Sequence, residues 1–332
     1  MMALETIAVL GGGAWGTALA QVQARHDRPV TLWARNPSAI HEINERHTNA
    51  AYLPGITLAP GLTATPNLTD AARADIVLLV APAQQARAVA IQLRPHLKPA
   101  QVLVICAKGI EQQSGHLLGH VLAEELPGIP LAVLSGPGFA GDVARGLPAA
   151  LTLAARDETL GRALAERLSH PEFRLYWSSD TTGVELGGAV KNVLGIAAGI
   201  LDGKKLGGSA HAALVTRGFA ELRRLGEAIG ARGDTLMGLS GLGDLILTCG
   251  SAQSRNMSLG RALGEGQSLT EILSARRAVT EGVYTASAVK RLAREHGIDM
   301  PICRAVSGIL DGAVSVDAAI SALLQRPLKA ED

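Results

Sequence analysis

The segment GGGAWGTALA, residues 11–20, follows a short aliphatic run at 6–10 and opens a stretch of helical character at 14–26. Gly11, Gly13 and Gly16 satisfy G-x-G-x-x-G in the strand–turn–helix setting that gives the pattern a physical meaning. Gly11 permits the tight turn, Gly13 lets the backbone approach a pyrophosphate, and Gly16 lets helix and strand pack closely. The helix N-terminus, beginning with Ala14 and Trp15, then offers free N–H groups and a positive dipole end to phosphate. In a chain with 38 glycines the triplet alone could be a plain turn. Its place between the first strand and the first helix is what predicts a dinucleotide-binding unit.

Aliphatic runs bounded by turn residues recur at 30–34, 75–81, 102–107 and 131–135, with weaker ones at 150–154 and 174–177. Helical stretches such as 84–93 lie between them, and this alternation argues for a mostly parallel sheet with helices on both faces. From residue 184 the pattern is helical only, over 184–201, 210–229, 255–263, 270–273, 285–296 and 305–310. The expected fold is α/β, a Rossmann-type mostly parallel sheet domain at 1–180 followed by an all-helical C-terminal domain at 181–332. Only 3% of residues are aromatic while 47% are hydrophobic, so both cores must be aliphatic.

A net charge of +1 leaves no electrostatic footprint for nucleic acid, and no basic block is interleaved with aromatics. Cys106, Cys249 and Cys303 are odd in number and widely spaced, which suits reduced thiols better than disulfides or a zinc site. The first residues lack the basic start of a secretion signal. The longest apolar run, 186–201, is interrupted by Lys191 and Asn192 and is shorter than a membrane span. A soluble protein of the reducing cytoplasm is expected, without membrane insertion.

Several positions bear chemistry. Arg35 stands near the end of the second strand, where a site selective for NAD usually carries an acid. Its guanidinium admits a 2′-phosphate and hence NADP(H), although a solvated loop arginine is an equally simple reading. Lys108, in CAKGIE, comes just after a strand, at the sheet edge where such folds bind ligands. SGPGFA brings Gly136, Gly138 and Ala140 to another strand end. Lys191 lies on an apolar helix, where an isolated lysine would ordinarily snorkel to solvent. Asp244, between apolar neighbours in GLGDLI, is costly to bury unless paired. Ser254, Arg255 and Asn256 look like a capped helix start that supplies N–H groups, a hydroxyl and a guanidinium to a phosphate. His116 and His120 have the i, i+4 spacing of zinc ligands, but no third ligand accompanies them in sequence and Gly119 weakens the helix, so ordinary surface histidines are expected, and hydride transfer needs no metal.

The blocks GGGAWGTALA, AAYLPGI, AKGIE, LSGPGFA, ELGGAVKNVLGIAAGI, GLGDLILTC, QSRN and AVTEGVYTA run in order from residue 6 to about 300. In them the chain closely resembles the bacterial NAD(P)-dependent glycerol-3-phosphate dehydrogenases. The resemblance implies reversible reduction of dihydroxyacetone phosphate to sn-glycerol 3-phosphate with NADP(H) and/or NAD(H), feeding glycerophospholipid synthesis, in a homodimer. It makes Lys191 the proton donor and acceptor, and places Lys108, Gly136, Gly138, Asp244, Ser254, Arg255 and Asn256 at the substrate. Cofactor contacts implied are Gly11, Gly13, Ala14, Trp15, Gly16, Arg35, Lys108, Ala140, Arg255, Val279 and Glu281. Relatives commonly have Ser at the position of Ala14, and Ser or Thr at that of Gly138. Two other readings are a β-hydroxyacid or 6-phosphogluconate-type dehydrogenase and a nicotinamide-sensing protein without turnover. QSRN and the Lys108–Lys191 pairing argue against the first, and a retained proton donor against the second.

Overall fold

The computed structural model describes residues 4–25, 28–276 and 279–327. His26, the expected end of the first helix, and Ala278 of the AVTEGVYTA block lie outside the described residues, as do the first three and last five positions of the two expected domains. Among the described residues, eight strands form one sheet: β1 (Ile7–Leu10), β2 (Val30–Trp33), β3 (Leu62–Thr65), β4 (Ile76–Leu79), β5 (Val102–Ile105), β6 (Leu131–Ser135), β7 (Ala149–Ala154) and β8 (Phe173–Ser178). Their spatial order is β3-β2-β1-β4-β5-β6-β7-β8. Neighbours are parallel except that β7 runs against β6. The chain therefore winds outward in one direction from β1 and in the other from β4, leaving a topological switch point between them.

β1, β4 and β5 are aliphatic and buried at every position, as strands covered on both faces must be. Alternate side chains feed opposite cores: Ile7 and Val9 join one, Ala8 and Leu10 the other. β3 and the helix Pro37–Arg46 go beyond the elements read from the sequence. That helix has an identifiable start, because the Asn36 side chain accepts the Ser38 N–H at 2.9 Å and Pro37 occupies the first turn.

After β8 the chain is helical. Asp180 caps the helix Thr181–Gly203 by accepting the Gly183 N–H at 2.8 Å, and its other oxygen accepts the Arg232 N–H at 2.8 Å. This helix is longer than the apolar run that marks it, and it is long and apolar enough to cross a membrane. However, 89% of its apolar window is buried inside the molecule, where it forms the axis of the second core. It crosses the helix Arg255–Gly264 with main chains in contact. A Cβ on Gly199 would run into the Met257 carbonyl, and one on Gly260 into that of Ile196. All three cysteines are free and buried.

Candidate active site

At the carboxyl edge of the sheet, Gly11 turns the chain with φ of +133°, while its N–H donates to the Trp33 carbonyl at 3.0 Å. Gly13 caps the helix Ala14–Ala24 without a side chain, and a Cβ there would meet no protein atom within 4 Å. The space beside it is open to an incoming group. At Gly16, by contrast, a Cβ would strike the Gly11 carbonyl oxygen, so only glycine closes the turn. Asn49, completely buried, pins the turn from behind by donating to the Gly12 carbonyl at 3.1 Å and the Thr17 hydroxyl at 2.9 Å. The first helical turn keeps its N–H groups without intrahelical partners. An open cradle at a helix N-terminus fits the pyrophosphate of a dinucleotide. Arg35 is exposed just beyond β2, next to Ala34, which lies against Gly12 of the turn.

Lys108, just after β5, extends from the sheet toward the helical domain. Its ammonium donates to Asp244 at 2.5 Å and to the Gly136 carbonyl at 2.8 Å, and lies 5.8 Å from the centre of the Trp15 ring. Lys191 comes from the opposite side, on the helix Thr181–Gly203. Its Nζ is 3.1 Å from the second Asp244 oxygen and donates to the Thr248 hydroxyl at 2.9 Å. The amine that could have snorkelled is buried, with 9% of the residue exposed. Asp244 thus bridges two ammoniums, delivered by a π-helical turn at Leu239–Gly243 that leads into the helix Asp244–Gly250.

Electrostatics follow from this arrangement. Burial lowers the Lys191 pKa to about 8, the neighbouring Lys108 adds to the drop, and Asp244 opposes it. Desolvation is therefore the main cause, ahead of the second cation. Burial alone would push the Asp244 carboxyl up, but the two ammoniums outweigh it and hold the group below the ordinary carboxylate range. The aspartate stays ionised and fixes both lysines.

An amide relay runs away from this cluster. Asn192 donates to the Lys108 carbonyl at 3.1 Å, Asn256 to the Asn192 side-chain oxygen at 2.8 Å, and the Gly282 N–H to Asn256 at 3.1 Å. Ser254 caps the helix Arg255–Gly264, accepting the Met257 N–H at 3.2 Å. Arg255, exposed at the start of that helix, donates to the Val279 carbonyl at 3.0 Å. Two residues on, Glu281 accepts the Ala83 N–H at 3.1 Å and so ties the helical domain to the turn after β4. Its other oxygen is buried without a hydrogen-bond partner, and burial raises its pKa.

Lys108, Gly136, Lys191 and Asp244 come together directly, with Trp15 beside them, while Asn256 joins through Asn192. Arg255, Val279 and Glu281 form a second group, and Arg35 stands just beyond β2. Gly136 contributes a carbonyl already bonded to Lys108. Beside Gly138, a Cβ would meet the Trp15 ring at 3.3 Å and Val143 at 3.4 Å, so tryptophan and valine take up the room near a larger side chain. Ala140 opens the helix Ala140–Arg145. Sequence reasoning missed Thr248 and Asn49 and left Asn192 without a role. Thr248 carried a usable signal, since one helical turn after Asp244 places its hydroxyl on the same face.

Two family models match the chain. One describes the N-terminus of NAD-dependent glycerol-3-phosphate dehydrogenase and covers residues 6–161; the other describes its C-terminus and covers 180–321. The chain belongs to this family. It is 58% identical to the glycerol-3-phosphate dehydrogenase [NAD(P)+] of Parvibaculum lavamentivorans, over 99% of both chains. Identity to that of Caulobacter vibrioides is 57%, covering 99% of this chain and 100% of the other. Among solved structures, the Coxiella burnetii glycerol-3-phosphate dehydrogenase superposes with a TM-score of 0.93 at 40% identity, covering 97% of this chain and 99% of that one. The chain is accordingly an NAD(P)-dependent oxidoreductase with a Rossmann-type domain, as the motif blocks led one to expect.

Proposed function

We propose that this chain interconverts dihydroxyacetone phosphate and sn-glycerol 3-phosphate, with Lys191 moving the proton. Reduction places negative charge on the carbonyl oxygen, and a positioned acid must neutralise it. The Lys191 Nζ, buried and held by Asp244 and Thr248, donates its proton to that oxygen to give the hydroxyl. In oxidation the same nitrogen, then neutral, takes the hydroxyl proton back. Lys108 polarises the carbonyl and Asp244 orients both amines. Arg255, Ser254 and Asn256 hold the phosphate, with Gly136 and Gly138 lining the substrate through backbone.

Gly11, Gly13, Ala14, Trp15 and Gly16 would hold the dinucleotide, with Arg35 at its 2′-phosphate and Lys108, Ala140, Arg255, Val279 and Glu281 along its length. When bound, the nicotinamide supplies the hydride in reduction and accepts it in oxidation. We divide the chain at 180 and 181, where Asp180 caps the long helix. A cytoplasmic homodimer supplying glycerophospholipid synthesis completes the proposal.

The observation that carries this reading is the Lys191–Asp244–Lys108 bridge beside the glycine turn. It is tested by following nicotinamide absorbance with dihydroxyacetone phosphate and each reduced cofactor across pH. Reduction needs charged Lys191, so its rate should hold below about pH 8 and fall above it. Oxidation needs the neutral amine and should rise through the same region. Profiles that bend in the same sense would remove Lys191 as the proton carrier.

A further inference from the structure

The loop that leaves Lys108 ends in a cluster that hydride transfer does not use. His116, His120 and Glu124 are exposed, and their ligand-capable atoms lie within 4.8 Å of one another. The histidine pair read from the sequence thus gains a third member. The helix Leu118–Glu125 puts Glu124 one turn beyond His120, with Oε1 3.2 Å from Nε2. His116 stands before this helix, not on it, and its ring centre is 4.1 Å from that of His120.

A polar cage holds it there. Arg87 donates to both oxygens of Glu111 at 2.9 Å, the Ser114 hydroxyl donates to Glu111 at 2.6 Å, and the Glu111 N–H donates to the His116 carbonyl at 3.0 Å. Arg87 also reaches Glu124 Oε2 at 3.1 Å, while Oε1 faces His120. A guanidinium behind the carboxylate is the outer support that orients a metal ligand.

We propose that His116, His120 and Glu124 form a surface site for a divalent transition metal of the zinc class, with water completing its coordination. Two imidazoles and one carboxylate are a donor set suited to zinc and its neighbours, whereas magnesium and calcium favour oxygen throughout. Ligand bonds of about 2.0–2.2 Å require the three side chains to draw in. The two exposed imidazoles would swing toward Glu124, which Arg87 holds in place. Buried Cys106, Cys249 and Cys303 do not compete for the ion. A bound metal would staple the loop that follows Lys108 onto the next helix.

The test is calorimetric titration of Zn²⁺ into the untagged full-length protein, repeated with His120→Ala and Glu124→Gln. One ion per chain is expected, with affinity reduced at least about tenfold in each variant. Dehydrogenase turnover in metal-free buffer should be unchanged in both, since neither residue touches the lysine cluster. Absence of saturable uptake, equal uptake by the variants, or equal affinity for Mg²⁺ would overturn the proposal.

Discussion

The glycine turn and the two-lysine cluster are neighbours, with Lys108 Nζ 5.8 Å from the centre of the Trp15 ring, but are made of different material. The turn is main chain from consecutive residues, braced from a distance by the Trp33 carbonyl and the Asn49 side chain. The cluster is side chains from the segment after β5, the long helix and the helix Asp244–Gly250, and its chemistry lies in charges that hold one another. Backbone sites tolerate changes in side-chain identity but not in volume. A charge cluster should respond in the opposite way.

Lys191→Ala probes that contrast most sharply. Turnover should fall about 10²–10⁴-fold while cofactor affinity, measured by nucleotide fluorescence titration, survives. Parallel loss of both would mean that the two regions are not separable. Next in size, Arg255→Ala should weaken the phosphorylated substrate by about 2–5 kcal/mol and leave unphosphorylated dihydroxyacetone almost unaffected. Equal loss on the two compounds in steady-state kinetics would remove the guanidinium from the phosphate.

Gly16→Ala adds a single methyl where the Gly11 carbonyl already lies, and should cost about 1–3 kcal/mol in thermal stability or cofactor binding. Ala14→Ser leaves the backbone of the turn alone and should change either quantity by well under that amount; a comparable loss would show that side chains matter in the turn after all. The smallest effect is expected from exposed Arg35. Its replacement by Ala should lower the ratio of NADPH to NADH efficiency without altering turnover, and an unchanged ratio would detach it from the 2′-phosphate.

Legibility in the sequence divides along the same line. The turn could be read because its glycines are local and their spacing has one steric meaning. β1, β4 and β5 could be read because two-sided burial demands unbroken aliphatic runs. β3 was not, since LTAT is short and owes its strand to pairing with β2. Lys191 drew notice as a charge out of place, but its burial against Thr248 is a tertiary fact that no neighbouring residue announces. Burial takes the larger share in lowering its pKa, with Lys108 adding to the drop and Asp244 acting against it. Glu124 was overlooked as a companion of His120 although the helical repeat connects them.

The crossing at Gly199 and Gly260 bears on how freely this enzyme can be remodelled. Alpha carbons resting on carbonyl oxygens set the spacing between the helix that carries Lys191 and the helix that Arg255 begins. No rotamer lies between them to absorb an error, so a methyl group added at that crossing acts as a wedge and shifts amine and guanidinium as rigid bodies. With Arg255 on the phosphate, as proposed above, reach toward longer or shorter phosphate esters would be set by main-chain dimensions. Adapting it calls for new residues at the helix ends, while the crossing itself stays frozen.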